Sequence, residues 1–364
     1  MRNVSSGGPS PHFTVSQAAA RLPAPAPRLN LRAVRVILST LRPSLAALLL
    51  ASAAALPLSA QDQPAAQEST AEETAAAFEP RPPANLLEAQ IELHRRGFSC
   101  GSIDGVRGTQ TAGALRAFQR SQQLKETGEL DQLTREALQL TEEPLGEHTL
   151  TAEELSSLHP VPDTWVGKSE MERLGYATAL ELVAERHRSN PKLIRQLNPD
   201  VNWDELMAGA VLKVPNIGTV LLEGHAALLH VRLAERELEV TDPDGKLIAH
   251  FPVSIAKMVE KRPVGQLTIK VIIPDPNYTF DPAVFPESAE AQTLDHKLIL
   301  SPGPNNPVGV AWIGLDRPGY GIHGTPEPEK VGRTESHGCF RLANWDARTL
   351  LALVEVGLPV IVEP

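Results

Sequence analysis

Apolar and polar residues alternate with a period of two over the last third of the chain. The alternation predicts five strands, at residues 230–233, 237–240, 247–253, 267–273 and 358–362. A proline-rich loop over residues 274–297 interrupts them, and loops of this length in a compact domain are usually lids or binding edges. We therefore predict a mainly-β, mixed-sheet domain over residues 217–364.

Upstream of this domain the apolar spacing becomes that of short helices. A first helix should end at Gly97, and a second should begin after a tight Asp-Gly turn, with Thr109 or Thr111 as its cap. A third helix is expected near residues 130–140. Together they predict a small three-helix domain over residues 85–141.

A second small module is predicted at residues 176–216, after a connector at 142–175. Residues 179–186 and 191–197 have helical spacing, and a turn and a short strand follow near 211–215. This pattern predicts a small α+β unit.

The N-terminal 60 residues indicate export. Arginines precede eighteen uncharged residues at 43–60, and a small residue lies before Gln61, which is the layout of a secretory signal peptide. We expect a protein of the periplasm or cell envelope. An uncleaved anchor in the inner membrane is the alternative, because eighteen residues just span a bilayer. Residues 61–84 have the composition of a disordered linker.

Charge and cysteine content narrow the possible partners and cofactors. Formal net charge is −10, and removing residues 1–60, which hold six arginines and no acid, leaves 28 basic and 44 acidic residues, or −16. An acidic body of this kind argues against nucleic acid as a partner. Two cysteines are too few for a disulfide scaffold or a multi-cysteine metal site. The histidines are scattered and form no H-E-x-x-H motif. We therefore expect no metal and no cofactor.

Cys339 is the strongest candidate for chemistry. It follows His337 and Gly338 in a glycine-flanked loop, and His323 lies a short distance upstream. A thiol beside imidazole is the arrangement of an activated nucleophile, with the thiolate available near neutral pH. Gly338 would let successive N–H groups converge on one oxyanion. A buried, inert cysteine with unrelated histidines is the alternative reading of the same residues.

The string H-G-T … S-H-G-C-x-R resembles the active-site signature of L,D-transpeptidases with a YkuD-type catalytic domain, and the resemblance covers roughly residues 219–363. It implies that Cys339 is the nucleophile, that His323 is the general base and that the Gly324 carbonyl orients the imidazole. It also implies that the N–H groups of His337, Gly338 and Cys339 bind the oxyanion.

The same resemblance implies a substrate-binding set around the nucleophile. Arg341 would order the loop or meet a substrate carboxylate, and a purely structural ion pair is the alternative. Ser336 and Thr325 are expected to belong to this set through hydrogen bonds within the loop.

The two upstream modules also carry resemblances. The pattern D-G-x-x-G-x-x-T-x-x-A-L-x-x-F-Q resembles the peptidoglycan-binding domain type 1 family, through Asp104, Gly105, Gly108, Thr111, Ala114, Leu115, Phe118 and Gln119. Residues 176–216 are similar to a LysM glycan-binding module, although the usual Gly-Asp start is absent.

These resemblances imply a peptidoglycan L,D-transpeptidase of cell-wall synthesis. A cysteine thiolate would be acylated by a stem peptide at its third-residue L-centre, release the terminal D-amino acid and transfer the acyl group to an amine. The implied partners are stem peptides, glycan strands and an envelope protein as a further acyl acceptor. An L,D-carboxypeptidase or endopeptidase of the same fold and a non-catalytic wall-binding protein remain as alternatives.

Overall fold

The computed structural model describes residues 78–364, apart from 219, 221, 223, 286 and 335–337. The predicted signal segment and most of the predicted linker lie outside the described residues. Among the helices described, none is long and apolar enough to cross a membrane.

Three helices form the first part of the described chain: α1 (Leu86–Arg95), α2 (Thr109–Ser121) and α3 (Gln132–Ala137). The chain leaves α1 through Gly97, whose φ of +82° suits a glycine. The N-cap of α2 is Gly108, so the prediction of a threonine cap is wrong. The Thr111 hydroxyl instead accepts a hydrogen bond from the buried Gln90 amide (3.1 Å), which needs an acceptor there.

The next part combines a two-stranded sheet with four short helices. Its elements are β1 (Leu145–Thr149), α4 (Ala152–Ser156), α5 (Trp165–Ser169), α6 (Ala179–Arg186), α7 (Pro191–Leu197) and β2 (Val211–Pro215). Strand β1 is antiparallel to β2, with Glu147 opposite Lys213. The buried face of α6 and α7 packs on this sheet. One strand of the unit therefore comes from the segment predicted as a connector.

The C-terminal part is built on one eight-stranded mixed sheet. Its elements are β3 (Leu228–Arg232), β4 (Glu237–Thr241), β5 (Leu247–Pro252), β6 (Gly265–Pro274), β7 (Tyr278–Phe280), β8 (Leu298–Leu300), β9 (Ala311–Leu315), β10 (Gly321–His323), β11 (Phe340–Arg341), α8 (Asn344–Leu353) and β12 (Pro359–Glu363). The strand order is β11-β10-β9-β6-β12-β3-β4-β5. β10–β11 and β12–β3 are parallel pairs, and the others are antiparallel. The predicted mixed sheet, preceded by a helical region, is confirmed.

The core of this part lies between the sheet and α8. Ile322 and Phe340 on the sheet pack with Ala347 and Leu350 of the helix, and all four are almost fully buried. Burying a side chain such as Phe340 contributes about 1.5–3 kcal/mol. Strands β7 and β8 pair as a separate two-stranded sheet at the ends of the predicted 274–297 loop.

The sheet curls, so that the end of β5 approaches β11. Ser254, just after β5, both accepts from the N–H of Arg341 (3.0 Å) and donates to its carbonyl (2.9 Å). The rest of β5 is covered by the helical domain. There the Ser99 N–H donates to the His250 carbonyl (2.9 Å), and the His250 N–H donates to Gly97 (3.0 Å).

Candidate active site

The register of β10 and β11 brings the predicted residues to one face of the sheet. His323 lies opposite Arg341, and Ile322 lies opposite Phe340 in the core. Because successive side chains of a strand point to opposite faces, His323 and Arg341 point away from α8. Cys339 precedes Phe340, so it shares that outer face.

His323 is held as a neutral, oriented ring. It is only 5% exposed, and its Nδ1 lies 2.6 Å from the Gly324 carbonyl oxygen. A carbonyl only accepts, so Nδ1 carries the proton and Nε2 is the basic atom. Burial lowers the pKa of His323 to about 3. The charge of Arg341 acts in the same direction, and the bond to Gly324 opposes it. The ring also stacks on Trp312, with centroids 5.6 Å apart.

Cys339 is a buried thiol rather than half of a disulfide. Its Sγ donates to the Gly319 carbonyl at 3.5 Å. Burial raises the pKa of Cys339 to about 12, against the opposing effects of a backbone hydrogen bond from Gly321 and the charge of Arg341. At these pKa values the thiol and the imidazole are both neutral near pH 7 in the resting site, and activation of Cys339 by a nearby imidazole stays a prediction.

The buried thiol nevertheless borders a cavity of about 330 Å³. His323, Gly338, Cys339 and Arg341 line it together with Glu287, Ser288 and the aromatic side chains Trp165, Tyr278 and Phe285. Cys339, although only 3% exposed, therefore borders open space on this face of the sheet.

Arg341 faces this cavity as a cation. Among the described residues no carboxylate lies within ion-pair distance of its guanidinium, and burial lowers its pKa from the usual value. Its main chain is held by Ser254. A desolvated guanidinium bordering a cavity is suited to bind a carboxylate.

Among the other predicted site residues, the structure describes Thr325 and Gly338 but not Ser336 and His337. Thr325 is not among the described residues that line the cavity, and its hydroxyl accepts a hydrogen bond from the Glu327 N–H (3.3 Å). Gly338 lines the cavity, and its role as an oxyanion donor stays a prediction. Ser336 and His337 lie outside the described residues, so their roles also stay predictions.

Sequence reasoning missed Trp165 as part of the site. The indole stacks on Phe280, with centroids 4.2 Å apart and planes at 14°, and the helix that carries it is fixed by Glu290. The Glu290 carboxylate accepts from the N–H groups of Trp165 (2.8 Å) and Val166 (2.9 Å). A lone tryptophan in a polar connector was the available signal, and nothing in its neighbourhood linked it to Cys339.

The described residues contain no group of three or more His, Cys, Asp or Glu side chains that could hold a metal ion. The chemistry available at the site is that of a thiol, an imidazole and a guanidinium at one end of a partly aromatic cavity.

Comparison with known families defines the class of this domain. Residues 226–362 match the YkuD model, described as an L,D-transpeptidase catalytic domain. Residues 83–138 match the model described as "Putative peptidoglycan binding domain". The chain therefore contains a YkuD L,D-transpeptidase catalytic domain after a domain of the peptidoglycan-binding type, and by its catalytic domain it is an L,D-transpeptidase.

Two curated relatives carry the same class name. The chain is 26% identical over 185 residues to "Putative L,D-transpeptidase YkuD" of Bacillus licheniformis, covering 51% of this chain and 93% of that protein. It is 31% identical over 124 residues to "Putative L,D-transpeptidase YqjB" of Bacillus subtilis, covering 33% of this chain and 61% of that protein. A crystal structure of L,D-transpeptidase 3 from Mycobacterium tuberculosis matches with 19% identity and a TM-score of 0.31, over 44% of this chain and 77% of that one.

Proposed function

We propose that this chain is an exported peptidoglycan L,D-transpeptidase that uses Cys339 as its nucleophile and His323 as its general base. The observation that carries the proposal is the common outer face of β10 and β11. It gathers Cys339, His323 and Arg341 around one cavity. Thiol, base and carboxylate-binding cation are the groups that acyl transfer from a peptide requires.

The reaction transfers an acyl group in two steps. In the first, the Cys339 Sγ forms a bond to the carbonyl carbon of the third stem-peptide residue while its proton passes to Nε2 of His323. The C–N bond to the terminal D-amino acid then breaks, and the imidazolium returns the proton to the departing amine. In the second, an amine attacks the thioester, gives its proton to His323 and expels the sulfur, which is reprotonated.

The pKa values of Cys339 and His323 favour proton transfer from the thiol to the imidazole within the substrate complex, rather than an ion pair that exists before the substrate binds. With the pKa of Cys339 near 12 and that of His323 near 3, the neutral pair is the stable resting form. The charge that develops on sulfur is stabilised by Arg341. A cavity with an aromatic wall limits access of water, which favours aminolysis of the thioester over its hydrolysis.

Several features support peptidoglycan as the substrate. The domain at residues 83–138 belongs to a peptidoglycan-binding type, and we propose that it contacts glycan strands. We propose the same for the LysM-like unit predicted at residues 176–216, whose helices α6 and α7 pack on the sheet formed by β2 and the upstream strand β1. The arginines and the apolar run within residues 1–60 support export to the periplasm or cell envelope.

The decisive experiment analyses products by mass spectrometry after incubation with a disaccharide tetrapeptide. We expect dimers linked between third-position residues, and we expect Cys339→Ala to reduce their formation at least about 10³-fold. Cys100→Ala is the matched control, because it removes the other thiol, which is buried in the helical domain. Tripeptide without dimer would identify water as the acceptor, and a wild-type protein without product would favour a non-catalytic wall-binding role.

A further inference from the structure

A buried carboxylate from outside the catalytic domain reaches towards its active-site loop. Glu185 lies near the end of α6 and is 9% exposed. Its two oxygens accept hydrogen bonds from the Nδ2 of Asn344 at 3.2 and 3.1 Å, and Oε1 also accepts from the Tyr176 hydroxyl (3.1 Å). Asn344 begins α8, three residues after Arg341 in the catalytic domain.

The side-chain amide of Asn344 uses its full hydrogen-bonding capacity. Nδ2 donates to Glu185 and to the Pro304 carbonyl (3.1 Å). Oδ1 accepts from the N–H groups of Thr325 (3.0 Å) and Val310 (3.3 Å). Turning the amide over would set its donors against two N–H groups and its oxygen against a carboxylate, so only this orientation is stable.

One peptide group connects this amide to the catalytic histidine. The N–H of Thr325 and the carbonyl of Gly324 belong to the same peptide plane. The N–H donates to Asn344, and the carbonyl accepts from Nδ1 of His323 at 2.6 Å. A Cβ atom at Gly324 would collide with Asn344 Oδ1, which shows how closely the amide approaches this peptide.

We propose, on the basis of the function above, that Glu185 is a positioning residue for His323, acting through Asn344 and the Gly324–Thr325 peptide. Each hydrogen bond in the series runs in the same sense, from imidazole to peptide, from peptide to amide and from amide to carboxylate. A negative carboxylate at the end of this series strengthens each hydrogen-bond acceptor before it. The Gly324 carbonyl therefore holds the His323 ring more firmly, and the basicity of Nε2 rises. The unit that precedes the catalytic domain therefore takes part in setting the catalytic base.

The test compares Glu185→Gln, which keeps the shape and removes the charge, with Glu185→Ala. Glu154→Gln is the matched control, because Glu154 is a buried carboxylate of the same unit whose hydrogen bonds stay within it. We expect Glu185→Ala to lower kcat about tenfold with KM nearly unchanged, because a displaced base slows chemistry more than binding. Glu185→Gln should lower kcat about threefold, and Glu154→Gln should leave it unchanged.

The pH profile separates positioning from general destabilisation. Burial raises the pKa of Glu185 to about 7, against its hydrogen bonds from Asn344 and Tyr176. The charge of Glu181 raises it further, and that of Arg348 lowers it. The wild-type rate should thus rise with pH through about 7 as Glu185 ionises, and Glu185→Gln should lose this inflection. An inflection near pH 7 that persists in Glu185→Gln would belong to Asp346 on α8, whose pKa burial also raises to about 7, and would overturn the inference.

A second measurement does not depend on the natural substrate. Alkylation of Cys339 by iodoacetamide, followed by peptide mass mapping on the full chain, reports how readily His323 takes the thiol proton. Slower alkylation in Glu185→Gln, and more so in His323→Ala, would support the inference. Slowing by His323→Ala alone would overturn it and keep the proposed function, whereas no slowing in either variant would overturn both. If Glu185→Ala does not fold, Glu185→Gln carries the test.

Discussion

The two edge strands of the eight-stranded sheet, β5 and β11, have different surroundings. At the β5 edge the helical domain bonds the strand, and the carboxylates beneath α2 are paired: Arg232 donates to Glu237 (2.9 Å) and Glu239 (2.6 Å), and Arg120 also donates to Glu239 (3.0 Å). At the β10–β11 edge a thiol and an imidazole are both neutral beside a cavity. The β5 edge is an interface with the helical domain, and the candidate active site lies beside the β11 edge.

The pKa values of two buried groups show what distinguishes the edges. Burial alone would raise the pKa of Glu237, but the nearby His250 ring and the guanidinium of Arg232 bring it down to about 2. Burial raises the pKa of Cys339 to about 12, and Arg341 offsets only part of this rise. Burial raises the pKa of both groups, and at Glu237 the hydrogen bonds and charges around the carboxylate outweigh it. At Cys339 burial is the largest of the causes, and Arg341 is the charged side chain that opposes it among the described residues.

The largest effect of a substitution is expected at the β5 edge, which the helical domain covers. Glu237→Ala should lower the free energy of unfolding by about 3 kcal/mol, because it leaves buried cationic groups with fewer partners. The folded-state pKa of Glu237 is depressed, so its contribution is present above pH 4.5 and is lost as pH falls towards 2. Urea unfolding at pH 7 and pH 3 should show the variant approaching the wild type at the lower pH.

Glu355→Ala is the control for that experiment, since it removes an exposed carboxylate of the same domain. Turnover of Glu237→Ala, measured where it is fully folded, should equal that of the wild type. Equal stability of the Glu237 and Glu355 variants at pH 7 would contradict the assignment of the β5 edge as a stabilising interface.

An intermediate effect is expected at the aromatic wall of the cavity. Trp165→Ala should raise KM about tenfold and change kcat less than about threefold, because the indole shapes the binding site and does not move protons. Steady-state kinetics with the tetrapeptide would measure both constants. Trp203→Ala, which removes a partly buried tryptophan that is not among the described residues lining the cavity, should change neither. A fall in kcat alone would show that Trp165 acts on the reacting groups.

The smallest effect is expected at Thr325. Its hydroxyl bonds within its own loop, so Thr325→Val should cost about 1 kcal/mol of stability and reduce kcat/KM less than about threefold. Thermal unfolding and the same kinetic assay would measure these changes, and Thr325→Ser should restore the stability. A tenfold rise in KM would instead establish a direct substrate contact for this hydroxyl.

The strands of the large sheet could be predicted from the sequence where one face of the strand is buried and the other is more exposed. In β12, Val360 and Val362 are buried and Ile361 is partly exposed, so the alternation is visible in the sequence. β1 reads Leu-Gly-Glu-His-Thr and gives no such signal, because it pairs only with β2 at the surface. β10 and β11 are three and two residues long, and they become strands through their neighbours rather than through their own composition.

The site was predictable as far as its chemistry is local. Cys339, His323 and Arg341 could be named from one short motif, and register places them on one face. The contributions of Trp165 and Glu185 depend on contacts between segments more than a hundred residues apart, which no local pattern encodes. The burial of the thiol was not predictable for a related reason: spacing indicates that imidazole is near, but only the fold shows how far the sulfur is removed from water.

The closure of the curled sheet by Ser254 has a consequence for inhibitor design. Both main-chain groups of Arg341 are already occupied by Ser254, so an extended ligand has no hydrogen-bonding positions there to continue the sheet. Peptidomimetics that imitate an added strand should gain little affinity beside Cys339. Compact electrophiles with a carboxylate, entering between the indole and the guanidinium, fit the available opening better.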